Sequence, residues 1–142
     1  MSDLKLLKLS SGEVVIGEVT YEDLTYSYVV QTPLVINQVN VKGGEATTAH
    51  PYLPGTDAES ISISSQFVMS VVEANEFYHR FYGTSVFRFI VNKEVQRMTL
   101  HGIESMDRHT KIMLDLKRGE LSKKYGMVDE EGVALDFERI IH

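Results

Sequence analysis

The side chains able to do chemistry are scattered along this chain. Its five histidines, His50, His79, His101, His109 and His142, are spread over 142 residues, and no pair has compact ligand spacing with carboxylates around it. There is no cysteine, which excludes disulfides and thiolate metal sites. No serine has the context of a strained nucleophile elbow, and no glycine-rich stretch has the spacing that cradles a phosphate. Gly43-Gly44 reads as a turn, and carboxylates such as Asp57 and Glu59 have no evident partner. The expectation is a binding or assembly protein rather than an enzyme, with no catalytic residue, metal or cofactor. One set of side chains does suit binding. Arg88, Lys93, Arg97, Arg108, Lys111, Lys117, Arg118, Lys123 and Lys124 can track a phosphate backbone. The competing reading is a solvated helix face, neutralised in part by Glu94, Asp107, Asp115 and Glu120.

The charge is divided along the chain. Residues 1–73 hold three basic and nine acidic groups, a balance of −6, whereas residues 74–142 hold eleven of each. Within the second part, residues 80–124 carry ten basic and five acidic groups, and residues 129–138 carry five acids and no base. Such a split suits two parts that meet different partners, or each other. No stretch approaches the roughly 18 uninterrupted apolar residues of a membrane span, and the opening residues have no charged leader with an apolar run. A cytoplasmic protein without a membrane partner is expected.

The first part must be built from strands. Residues 4–9 form the first and end in the turn signal Ser10-Ser11-Gly12. Val14, Val15, Ile16 and Val19 crowd into the second, with Gly17 inside it, where a glycine marks a bend, a bulge or close backbone approach. Tyr26, Tyr28 and Val30 mark a third strand that Thr32-Pro33 breaks. Leu34–Val41 is a fourth, ending at Gly43-Gly44, and a long polar loop follows to Ser60. Ile61–Ser65 alternates, and Phe67–Val72 is the last strand. Five short strands with one sharply bent member suit a small curved barrel. Leu34–Val41 and Phe67–Val72 are its expected exposed edges, because neither has an internal proline or lysine to block pairing.

The spacing Leu9-x2-Gly12-x4-Gly17-x5-Asp23 resembles the first motif of the Sm/LSm family. The wording from Lys8 to Val19, with the later Thr32-Pro33-Leu34 and Pro51-Tyr52-Leu53-Pro54, is closest to Sm-like proteins of marine T4-like phages. The resemblance spans residues 4–73. It implies a five-stranded bent sheet whose subunits pair edge to edge into a homo-oligomeric ring, with single-stranded RNA or DNA bound in the ring. It implies structural roles for Gly12 and Gly17. Its nucleic-acid site falls on Asp23, on Thr25 or Tyr26 for base stacking, on Ser27 for base reading, and on Ser64 and Ser65 where the family has Arg-Gly. Ser27 and Ser64 depart from the family pattern, and Tyr26 alone of the stacking candidates is aromatic. Tyr21, Tyr26 and Tyr28 suit either a stacking platform or cross-strand packing, and Asp23 suits either a base contact or closure of its turn. Two function classes follow: a nucleic-acid-associated ring of phage origin, located in the host cytoplasm, or an assembly adaptor that uses the ring as a scaffold.

From Asn75 the period becomes helical. Asn75 caps a first turn of Phe77, Tyr78, Phe81 and Tyr82, which Gly83 ends. Thr84 or Ser85 caps a second helix burying Phe87, Ile90, Val91, Val95 and Met98. Asp107 caps a third, with Ile112, Met113 and Leu116 on its buried side and Gly126 as its stop. Val133, Leu135 and Phe137 alternate as in a short final strand. The chain thus reads as a mainly β protein, a small Sm-like barrel over residues 1–73, with a helical extension over residues 74–142.

Overall fold

A computed structural model describes residues 3–52 and 59–127. The chain divides into two compact units, one up to Ala74 and one from Asn75 on. The alternation at residues 133–137 lies outside the described residues.

The described residues of the first unit form an antiparallel sheet of six strands: β1 (Leu4–Leu9), β2 (Val14–Glu22), β3 (Ser27–Val41), β4 (Gly44–Pro51), β5 (Ser60–Ser64) and β6 (Val68–Glu73). β6 pairs with β1, β1 with β2 and β2 with β3, while β4 and β5 both pair with β3. Leu7, Leu9, Val15, Val19, Val30, Val35 and Ile63 form the buried core, with Tyr28, Ile61, Val68 and Val71 packed at its margin.

Gly17 is where the sheet bends. Ile16 faces Leu34 and Glu18 faces Gln31, so two residues, Thr32 and Pro33, bulge opposite the single Gly17. A Cβ at Gly17 would lie 2.5 Å from Val30 Cγ1 and 2.8 Å from the Gln31 carbonyl oxygen. Thr32 takes φ 46°, a costly conformation for a β-branched residue, and its N–H donates to the Glu59 carbonyl at 2.6 Å. Thr32-Pro33 therefore does not end a strand, because within a bulge proline forfeits no ladder bond. The bulge instead switches the neighbour of β3: Ser27–Gln31 pair with β5, and Leu34–Val41 pair with β4.

Three expectations change as a result. The third and fourth strands are one long β3. Leu34–Ile36 are internal, between β4 and β2, whereas Asn37–Val41 pair with β4 alone among the described residues and keep one open side. Part of the expected polar loop is β4, where Thr47 and Thr48 suit a strand and the positive φ of Gly43 and Gly44 turns the hairpin.

The two ends of this sheet converge. β5 and β6 lie at opposite ends of the path through β3, β2 and β1, yet only a single 3-10 turn, Ser65–Phe67, separates them. Across a flat sheet they would be about 19 Å apart, whereas three 3-10 residues advance only about 6 Å. The turn is tied on both sides: Ser65 N–H donates to the Tyr26 carbonyl at 2.8 Å, and the Phe67 carbonyl accepts from Ser10 N–H at 2.8 Å. No ladder joins β5 to β6 among the described residues, so the curved sheet stays open.

Among its described residues the second unit holds two helices where three were expected, α1 (Glu76–Leu100) and α2 (Arg108–Tyr125). The Asn75 carboxamide accepts from Tyr78 N–H at 3.0 Å and caps α1. Gly83 does not end this helix. A Cβ there would lie 2.8 Å from Tyr125 Cβ, so its glycine lets α2 approach, and the Tyr82 and Tyr125 rings meet edge to face at 5.1 Å. Thr84 and Ser85 accordingly lie inside α1 and cap nothing. The start of α1 thus meets the end of α2, an antiparallel pair joined by seven residues, His101–Asp107. Gly126 stops α2 in the left-handed conformation, its N–H bonded to the Ser122 carbonyl at 2.8 Å.

The buried side of α2 is Thr110, Leu114, Leu121 and Tyr125. Ile112, Met113 and Leu116 are exposed instead, because Tyr125 packing on Gly83 fixes the rotation of the helix. On α1, Phe87, Val91 and Met98 are buried, while Phe77 is exposed and stacks on Phe81.

Asp107 caps α2 by accepting from Thr110 N–H at 2.7 Å. This backbone hydrogen bond, then one from the Thr110 side chain, holds its carboxyl below the ordinary value of 3.8. A carboxyl depressed in the folded state stabilises above its unfolded pKa, and that contribution disappears as pH falls through the folded value. Helicity followed by circular dichroism should thus fall below about pH 4. Asp107→Asn should keep the cap and lose this acid-limb step, whereas an unchanged acid limb would contradict the assignment.

Candidate nucleic-acid interface

Four of the expected site residues gather at one end of the first unit. Asp23 and Tyr26 lie in the tight turn between β2 and β3, which closes with Glu22 opposite Ser27. Ser27 in turn pairs with Ser64 across the β3–β5 ladder. The Ser65–Tyr26 backbone bond fastens the β5–β6 turn to the same end. The spacing of one hairpin and a strand about forty residues later is thus converted into a single surface.

The chemistry of that surface is uneven. Tyr26 is 68% exposed and held at φ 52°, so its ring is presented to solvent. Tyr21 and Tyr28 instead face each other across the ladder, rings at 5.0 Å and edge to face, the cross-strand packing role. Ser27 is buried, and its hydroxyl donates to the Thr25 carbonyl at 3.1 Å, which leaves it no outward donor. Asp23 is exposed and closes no turn through its side chain among the described residues. Leu24, 91% exposed beside it, escaped the sequence reading. A lone leucine between Asp23 and Thr25 in a turn is the signal that marks it. The segment from Leu9 to Val41 contains no lysine or arginine and four carboxylates, Glu13, Glu18, Glu22 and Asp23, so it offers no cation to a phosphate.

Gly12 and Gly17 hold structural positions. Gly12 takes φ 95° in the β1–β2 turn, with its N–H bonded to the Leu9 carbonyl at 2.9 Å.

All nine basic candidates lie in the second unit. Arg88, Lys93 and Arg97 are on α1, and Lys117 and Arg118 are on α2. Arg88 and Lys93 are each engaged with other groups of the chain. Arg97 bonds Glu94 at 2.9 Å, Lys117 lies 3.7 Å from Glu120, and Arg118 lies 3.3 Å from Asp115. These carboxylates, each three residues away, turn that part of the row into mixed-sign helix surface.

Among the described residues, no three His, Asp or Glu side chains gather where a metal ion would sit. Among them also, no helix is long and apolar enough to cross a membrane. No protein-family model matches the chain, and no curated protein matches it significantly.

Proposed function

We propose that the first unit is an Sm-like subunit that self-assembles into a homo-oligomeric ring, and that the ring acts chiefly as an assembly scaffold. The observation that carries this reading is the convergence of β5 and β6. Two strands joined by one short turn place their unpaired outer edges on either side of the same end of the sheet. One copy's β6 can then extend the sheet of the next at its β5, and this repeated head-to-tail contact closes into a ring when its rotation allows. β6 suits this role. It has no proline or lysine, and Met69 and Val72 on it are exposed. β4, the other outer strand on that side, carries Glu45 and ends at Pro51, features that discourage pairing. The Gly12-Gly17-Asp23 frame supports the same family, with Gly17 at the bend.

A second reading, a ring associated with single-stranded RNA or DNA, is favoured by the exposed Tyr26 ring at the same end of the sheet as Asp23 and Ser64. The lack of basic residues from Leu9 to Val41 weighs against it, as do the local ion pairs of Arg97, Lys117 and Arg118. Titration with single-stranded RNA and DNA at low and high salt separates the two. The scaffold reading expects weak binding even at low salt, and tight binding abolished by Tyr26→Ala would overturn it.

Assembly has its own test. Val72→Lys puts a charge on the exposed side of β6, where pairing with another copy would have to desolvate it. Size-exclusion chromatography should show a shift to smaller species with the circular dichroism spectrum retained. An unchanged oligomer would remove β6 from the interface.

A further inference from the structure

The exposed side of α2 has a composition that the fold does not account for. Ile112, Leu116, Gly119 and Lys123 follow one another at i, i+4, i+7 and i+11, a single stripe along the helix. Ile112 is 49% exposed and Leu116 64%, both on the side away from Leu114, Leu121 and Tyr125. Gly119 is the anomaly. At Gly17 and Gly83 a Cβ would meet atoms of the chain at 2.5 and 2.8 Å, and Gly12, Gly43, Gly44, Gly102 and Gly126 have positive φ. Gly119 has neither property: it sits in the middle of a helix, exposed, with nothing among the described residues within 4 Å of where its Cβ would be. Glycine there weakens the helix relative to alanine and relieves no close contact among the described residues. A position without a Cβ, one turn beyond two exposed aliphatic side chains, forms a shallow hole on an apolar ridge. A second helix can cross closely there.

We propose that this stripe is a docking surface for an amphipathic helix of a partner protein, with an apolar face and acidic flanks. Charge selects the occupant. On α2, Lys117 and Arg118 are offset by Glu120 and Asp115, and Arg108, Lys111, Lys123 and Lys124 give the helix its net positive charge. Arg108 and Lys123 bracket the stripe at its two ends. A second copy of α2 is a poor occupant, since parallel pairing sets Lys123 against Lys123 and antiparallel pairing sets Lys123 near Arg108. An acidic helix meets both cations while its large apolar side chain fills the hole at Gly119.

The test uses the full-length chain and two synthetic helical peptides of about 16 residues, alike in their leucine face and flanked by glutamate or by lysine. Fluorescence anisotropy should show the glutamate peptide binding and the lysine peptide failing to bind. Leu116→Glu should weaken binding roughly tenfold or more. Gly119→Leu is the decisive variant. It should raise the melting temperature, since a helix former replaces glycine in open space, and weaken peptide binding by filling the hole. Wild-type binding retained in Gly119→Leu, preference for the lysine peptide, or no binding of either would overturn the proposal. So would wild-type self-association that Leu116→Glu abolishes, because the occupant would then be a second copy.

Discussion

Gly17→Val is expected to be among the most damaging single substitutions in the chain. Its Cβ would have to occupy space 2.5 Å from Val30 Cγ1 and 2.8 Å from the Gln31 carbonyl oxygen. Val30 is fully buried in the core, and Gln31 belongs to the backbone of the adjoining strand, so neither can yield by rotating a flexible side chain. Relief requires β2 and β3 to separate at the bulge, where Thr32 already holds a strained φ. Overpacking of this kind costs about 3 kcal/mol, and a unit of this size would lose roughly 10 °C or more in melting temperature. The proposed assembly should suffer as much, because flattening the bend carries β5 and β6 apart. Thermal melting together with size exclusion should show both losses. A variant that melts and elutes like the wild type would contradict the bend as the origin of the curved sheet.

Gly83→Val should damage the second unit in the same way. The new Cβ falls 2.8 Å from Tyr125 Cβ, which is buried and packed through its ring on Tyr82. Helix propensity offers little relief, because replacing glycine by a β-branched residue gains only a few tenths of a kcal/mol, against about 1–3 kcal/mol for overpacking. Gly83→Ala should also destabilise, by less. The comparison with Gly119 is informative, since α1 and α2 belong to one compact unit. Two mid-helix glycines there should respond to the same chemistry with opposite signs, a fall in melting temperature at 83 and a rise at 119. Equal responses would mean that propensity rather than packing governs both positions.

Much of this was legible in residue types. The β part, the Gly12 turn and the caps Asn75, Asp107 and Gly126 follow from local chemistry, because each is decided by a few neighbouring residues. Gly17 was legible as a bend, but not the reason for it: the bulge opposite belongs to a segment some fifteen residues away. Thr32-Pro33 misled because proline ends a regular strand and not a bulged one. Gly83 misled because the partner that requires it, Tyr125, is more than forty residues distant. The buried side of α2 was misassigned for the same cause. Ile112, Met113 and Leu116 are its most apolar group, and only the contact with α1 turns Leu114, Leu121 and Tyr125 inward instead. At the candidate interface, the grouping of Asp23, Tyr26, Ser27 and Ser64 came from the family resemblance, and the sheet does bring them together. The inward bond of Ser27 and the packing of Tyr21 on Tyr28 are tertiary facts that no spacing encodes.

The central claim is self-assembly through the two converging edges, and native mass spectrometry of the full-length chain tests it most directly. The account predicts one dominant closed species at micromolar concentration, its mass a whole-number multiple of the 16.1 kDa chain, with Val72→Lys shifting the distribution toward single chains. A wild-type spectrum that contains only the 16.1 kDa monomer across that concentration range would contradict it.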